Sequence, residues 1–120
     1  MPIINRIAEF HQDMSACRQD IHAHPETAFE EHRTSALVVE KLASFGVEVH
    51  QGLAGTGIVG TISTGEGPMI GLRADMDALH INELNNFHHK STNDGKMHAC
   101  GHDGHTAMLL GAARYLAETK

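Results

Sequence analysis

Apolar residues recur at spacings of four and three along the start of the chain: Ile3, Ile7, Phe10, Met14, Cys17 and Ile21. That period puts all six on one face of a helix. Pro25 ends the pattern, and its ring pushes His24 towards extended backbone. Cys17 thus has a plain reading as a small apolar member of a buried stripe. A second helix is predicted from Phe29 to Phe45, with Val38, Leu42 and Phe45 inward and Gly46 just past its end. Glu30 and Glu31 fall in its first turn, where the helix dipole favours negative charge.

The period then changes to two. Val47-Glu48-Val49-His50 alternates, and Gly57 to Ile62 is rich in branched residues. Ser63 to Pro68 reads as a turn, followed by a strand over Met69 to Ala74; so short a connection predicts an antiparallel hairpin. Residues 80–98 are polar and irregular, a long loop of the kind that often carries function. A closing helix is predicted from Gly104 to Glu118, with Asp103 as N-cap and Leu109, Ala112, Ala113 and Leu116 buried. The fold class is therefore α/β: two helices, a small mixed sheet with a hairpin, and a closing helix. No repeat or linker divides residues 1–120, so one domain is expected.

Composition narrows the function. With 9 basic against 15 acidic residues the net charge is −6, which leaves no basic excess to neutralise a nucleic-acid backbone. No apolar run approaches the roughly 18 residues of a membrane span, and the first residues lack a secretory pattern. A cytoplasmic location is the expectation. Two cysteines cannot form a disulfide framework. Six of the eleven histidines (His80, His88, His89, His98, His102 and His105) fall between positions 80 and 105, a local enrichment that suggests metal chemistry.

The densest chemistry lies in Met97-His98-Ala99-Cys100-Gly101-His102-Asp103-Gly104-His105. Thiolate and imidazole are donors suited to zinc and its first-row neighbours. Cys100 and His102 reach one ion only if the backbone turns sharply between them, which Gly101 permits. Asp103 is a candidate to orient His102 through its other ring nitrogen. His105 is either a third ligand or a residue facing water on the first helical turn. Asp75 and Asp77 end the predicted strand, where carboxylates can touch a metal or simply cap the strand. His88-His89 reads as exposed, and His24-Pro25-Glu26 as a helix terminator.

Taken together these motifs resemble a known family. Arg18-Gln19-Asp20-Ile21-His22-Ala23-His24-Pro25-Glu26, then Gly55-Thr56-Gly57, Gly71 to Leu79 and Met97 to His105 stand in the order found in metal-dependent amidohydrolases of the aminoacylase and carboxypeptidase G metallopeptidase group. The nearest branch is that of hippurate hydrolase, N-acyl-amino-acid amidohydrolases and indoleacetyl-amino-acid hydrolases. The resemblance covers Arg18 to Ala117. It implies the N-terminal part of a zinc-peptidase-like catalytic domain, a truncated segment without the lid domain. It also implies a two-metal site of zinc or manganese, with nickel or cobalt as alternatives. Cys100 and His102 match metal ligands, and Asp77 matches the aspartate that supports the site. The implied reaction is hydrolysis of N-acyl amino acids to a carboxylic acid and a free amino acid. The paired glutamates that supply the general base lie beyond the matching stretch, so the 120 residues alone are expected to be inactive. His80 stands where the family usually has proline, and offers a nitrogen near the metal.

Two other classes fit the residues: a non-catalytic metal-binding module, with Cys100 and His102 of two chains sharing one ion, and a subunit that oligomerises through an exposed sheet edge.

Overall fold

The computed structural model describes residues 3–120. Three helices lead the chain, α1 (Ile3–Glu9), α2 (His11–Ala23) and α3 (His32–Ser44), followed by strands β1 (Glu48–Leu53) and β2 (Gly57–Thr61) and the closing helix α4 (His102–Thr119). The class is α/β, as the patterning predicts.

The first apolar stripe is split between two helices. The chain tightens at Phe10, whose N–H donates to Ile7 O at 2.9 Å, an i→i+3 bond that ends α1. Phe10 itself is fully buried, under the guanidinium groups of Arg6 and Arg114. The stripe is therefore buried only from Phe10 onward, and Ile3 lies exposed.

Helix α3 starts later than its pattern suggests. Phe29 adopts φ 67° in the turn before it, and Glu31 is the N-cap residue without a side-chain cap bond. The capping comes instead from Glu26. Its Oε1 accepts from Thr34 N at 2.6 Å and Thr34 Oγ1 at 2.7 Å, and its Oε2 accepts from Arg33 N at 2.8 Å. The buried Glu31 accepts from Thr56 Oγ1 at 2.9 Å, which ties the start of α3 to the hairpin turn. At the far end Gly46 takes φ 78°, the left-handed stop the sequence leads one to expect.

The core gathers Cys17 and Ile21 of α2, Val38 and Leu42 of α3, Val47 just before β1, and Leu110 of α4. The hairpin pairs β1 with β2 antiparallel, Glu48 opposite Thr61 and Leu53 opposite Gly57, with an irregularity between Gln51 and Leu53.

That is one hairpin earlier than predicted, and Met69 to Ala74 forms no ladder. A segment becomes a strand only when a second backbone lies alongside it, and among the described residues none does. Met69, Ile70 and Leu72 are consequently exposed. The first pairing comes later, as isolated bridges of Ala78 with Thr27 (parallel) and Leu79 with Met97 (antiparallel). These bridges, with Thr92 N and Oγ1 donating to Ala23 O at 2.8 and 2.7 Å, pin the long loop onto the end of α2.

The buried face of α4 is Asp103, Thr106, Ala107, Leu110 and Gly111. It is rotated from the predicted face, and Leu116 is exposed. The helix takes its orientation from a close approach to α2: a Cβ on Gly111 would lie 2.6 Å from Met14 Sδ.

Candidate metal centre

Gly101 turns the chain into α4 with φ 95° and ψ 10°, a left-handed conformation open to glycine at little cost. His102 and His105, three residues apart, then share a face of the first helical turn, with ring centroids 5.5 Å apart. The extended segment ending at Asp77 brings its carboxylates against them. One ligand atom each from Asp75, His102 and His105 lies within 4.8 Å of the others.

The contacts fix the tautomer of His102. Its Nδ1–H donates to Asp77 O at 2.8 Å and Asp77 Oδ1 at 2.9 Å. That leaves the Nε2 lone pair directed at the trio, with Asp75 Oδ2 3.2 Å away. A histidine held through one nitrogen by a carboxylate and presenting the other is the arrangement by which metal-binding imidazoles are oriented. Asp75 Oδ1 lies 2.8 Å from His105 Nδ1, and this hydrogen bond holds the Asp75 carboxyl below the usual carboxylate range. Thr106 Oγ1 donates to Asp75 O at 2.8 Å, which fixes the segment to α4. One carboxylate and two imidazoles form a donor set that suits zinc, manganese and other first-row divalent ions.

The residues singled out in the sequence are distributed as follows. His102, Asp75 and His105 converge, and Asp77 supports His102. Cys100 stands exposed just before Gly101, outside the trio. His80 is exposed beyond the Leu79 bridge.

Asp103 does not orient His102 and is not an N-cap; it is buried and faces α2. There it accepts from His22 Nδ1 at 2.9 Å and from Arg18 at 3.2 Å. His22 Nε2 meets Glu83 Oε2 at 2.9 Å. Glu83 Oε1 in turn accepts from Ser91 N at 2.6 Å. Burial pushes both carboxyls up, but hydrogen bonds outweigh it and hold them below their ordinary values. These come from His22 and the Gly104 backbone on Asp103, and from Asn85, His22 and Ser91 on Glu83. His22 thus stands between two buried carboxylates, one at each ring nitrogen.

This Glu83–His22–Asp103 chain joins the long loop, α2 and the start of α4 directly behind the trio. Residue patterning gives no sign of it, because its members are 61 and 81 residues apart. The quoted motifs hold His22 and Asp103 without linking them, and Glu83 lies in none of them. His98 lies beside it, buried, with no partner for either ring nitrogen, and burial lowers its basicity. His89 is less exposed than predicted, because it stacks on Phe87 at 4.0 Å.

Known proteins resemble this chain in sequence and in fold. Residues 71–120, which hold the trio, match the family model "Peptidase family M20/M25/M40". The chain is 50% identical over 110 residues to IAA-amino acid hydrolase ILR1-like 5 of Arabidopsis thaliana, covering 92% of this chain and 25% of that protein. It is 47% identical over 118 residues to hippurate hydrolase of Campylobacter jejuni, covering 98% and 31%. Among solved structures, the Bacillus subtilis YXEP protein, described as a dinuclear metal binding peptidase of the M20 family, superposes with a TM-score of 0.86. It is 38% identical, and the match covers 92% of this chain and 32% of that one. A Staphylococcus aureus protein described as a putative aminohydrolase gives a TM-score of 0.92 at 39% identity, covering 98% and 32%. The chain thus spans about a quarter to a third of the length of the curated relatives it matches. On the matched motifs, the identity across nearly all its length and the shared fold, the chain belongs to peptidase family M20/M25/M40.

Proposed function

We propose that this chain supplies the first ligands of a metal-dependent hydrolase that cleaves the amide bond of N-acyl amino acids, hippurate-like substrates among them. The observation that carries the reading is the convergence of Asp75, His102 and His105, with the tautomer of His102 set by Asp77. Asp75 and His102 would hold a zinc or manganese ion, with His105 beside them and Cys100 as a further donor reached through the turn at Gly101. Such an ion, when bound, polarises an amide carbonyl and acidifies water.

The protein's own residues do the positioning. Asp77 keeps the His102 proton on Nδ1, so that Nε2 stays a donor of electrons. Asp103, held by His22, anchors the first turn of α4 from behind. Neither Asp75 nor Asp77 is free to act as a general base, because each is engaged with an imidazole. On this reading the 120 residues alone bind the ion without turning over substrate. A relative named as a hippurate hydrolase and one named as an N-acyl-L-amino acid amidohydrolase support the substrate class.

Elemental analysis of freshly purified protein tests the site. About one ion per chain, lost in Asp75→Ala and His102→Ala, is expected. Absence of metal after incubation with zinc or manganese overturns the proposal, and one ion per two chains selects a shared site between copies instead. The exposed, unpaired Met69 to Leu72 backbone favours a subunit that adds a strand from a partner as the second reading. Sedimentation as a monomer at high concentration refutes it.

A further inference from the structure

Helices α2, α3 and α4 enclose a cleft of about 330 Å³ that has no part in the metal centre. Its apolar part is formed by Phe10, Met14 and Cys17 from the first stretch, Phe45 from the end of α3, and Leu110 of α4, while Asp13, Lys41, Ser44 and Arg114 supply an equally large polar part. Phe10, Cys17 and Leu110 are buried members of the core, so the walls are fixed by packing and not by mobile side chains. The bare Gly111 keeps the wall low where Met14 crosses it. This volume lies within the range of about 300–1,000 Å³ found for small-molecule sites.

The rim carries charge of one sign in excess. Arg114 is committed, to Asp13 at 3.0 Å and to the faces of Phe10 and Phe45 at 4.0 and 5.8 Å. Lys41, on the same rim, has no ion-pair partner among the described residues, and its charge is felt at the Cys17 thiol. A cation without an ion-pair partner among the described residues, at the rim of a cleft that is apolar on one side, is a local complement to one anionic head on an apolar body.

We infer that this cleft binds a small monocarboxylate with an apolar body, the carboxylate on Lys41 and the apolar part between Met14, Cys17, Phe45 and Leu110. The inference is independent of the proposed hydrolysis. The three enclosing helices and the limited volume favour a small molecule over a peptide segment.

The test is a titration of the 120-residue chain with 4-phenylbutyrate, followed by amide chemical shifts. The neutral amide of the same acid serves as the control. Expected are saturable shifts confined to Met14, Cys17, Leu110 and Gly111, and a carboxylate that binds about 3- to 5-fold more tightly than the amide. Lys41→Gln should abolish that preference while leaving the spectrum of the free protein otherwise intact. Alkylation of Cys17 by a neutral thiol reagent should slow in proportion to occupancy. The inference is overturned if no shifts saturate, if acid and amide bind equally, or if Lys41→Gln keeps the preference. Shifts centred on the exposed Met69 to Leu72 stretch overturn it equally, since they indicate unspecific apolar adsorption.

Discussion

Replacing Asp103 by alanine is the sharpest test of what holds the candidate metal centre in place. The side chain is 6% exposed and accepts from His22 at 2.9 Å and Arg18 at 3.2 Å. Its removal leaves His22 facing Glu83 alone and takes a negative charge from the first turn of α4. Removing one partner of a buried charged set costs about 3–5 kcal/mol. Arg18 is partly exposed, so water relieves some of that loss and the lower end, about 3 kcal/mol, is expected. With a urea slope of about 1.5 kcal/mol/M, the unfolding midpoint falls by about 2 M at unchanged slope. Asp103→Asn keeps the shape and an acceptor oxygen, and should cost about 1–2 kcal/mol. Asp13, which pairs with Arg114 at the surface, is the control; Asp13→Asn should cost under about 1 kcal/mol. A double-mutant cycle of Asp103→Ala with His22→Ala should return a coupling of at least about 1 kcal/mol. If Asp103→Ala costs no more than Asp13→Asn, or the cycle is additive, the buried chain does not hold α4 and the reasoning fails.

Further outcomes follow from the same geometry. Glu26→Ala strips the three acceptor contacts from the start of α3 and should cost about 1–2 kcal/mol by urea unfolding, with Glu26→Gln less damaging. Cys100→Ala should weaken zinc binding at least about 10-fold with no change in unfolding midpoint, whereas Cys17→Ala should cost about 1 kcal/mol and leave zinc affinity alone; the reverse order refutes both assignments. Asp103 and Glu83 are held below their ordinary values of 3.8 and 4.5, so the unfolded chain takes up their protons first. Their stabilisation is complete above about pH 5 and lost as the pH falls through the lower folded values. His98 is likewise below its ordinary 6.5, so its contribution starts to be lost as the pH falls past that value. Melting temperatures measured between pH 7 and pH 3 should therefore decline throughout, and a rise over any part of that range contradicts the assignment.

Patterning along the chain suffices for the α/β class, the inward faces of the first two helical segments from Phe10 to Leu42, the stop at Gly46, and the chemistry concentrated around His102. Those features are local. A 3.6-residue period, a left-handed glycine or a run of metal-binding side chains is written within one or two turns of chain. Whatever depends on a distant partner emerges only on folding. Met69 to Ala74 has the composition of a strand, but pairing is a property of two backbones, and among the described residues no second one lies there. The buried face of α4 turns from the Leu109 and Leu116 side to Asp103 and Leu110, because Gly111 lets α2 approach and His22 captures Asp103. His102 is a legible ligand candidate, yet the tautomer that makes it one depends on Asp77, which lies 25 residues earlier. Glu83, in a polar loop with no periodicity, becomes part of the support behind the candidate metal centre only because folding carries it to His22. Bare charges and imidazoles have no direction in a sequence; burial and hydrogen-bond geometry assign their partners.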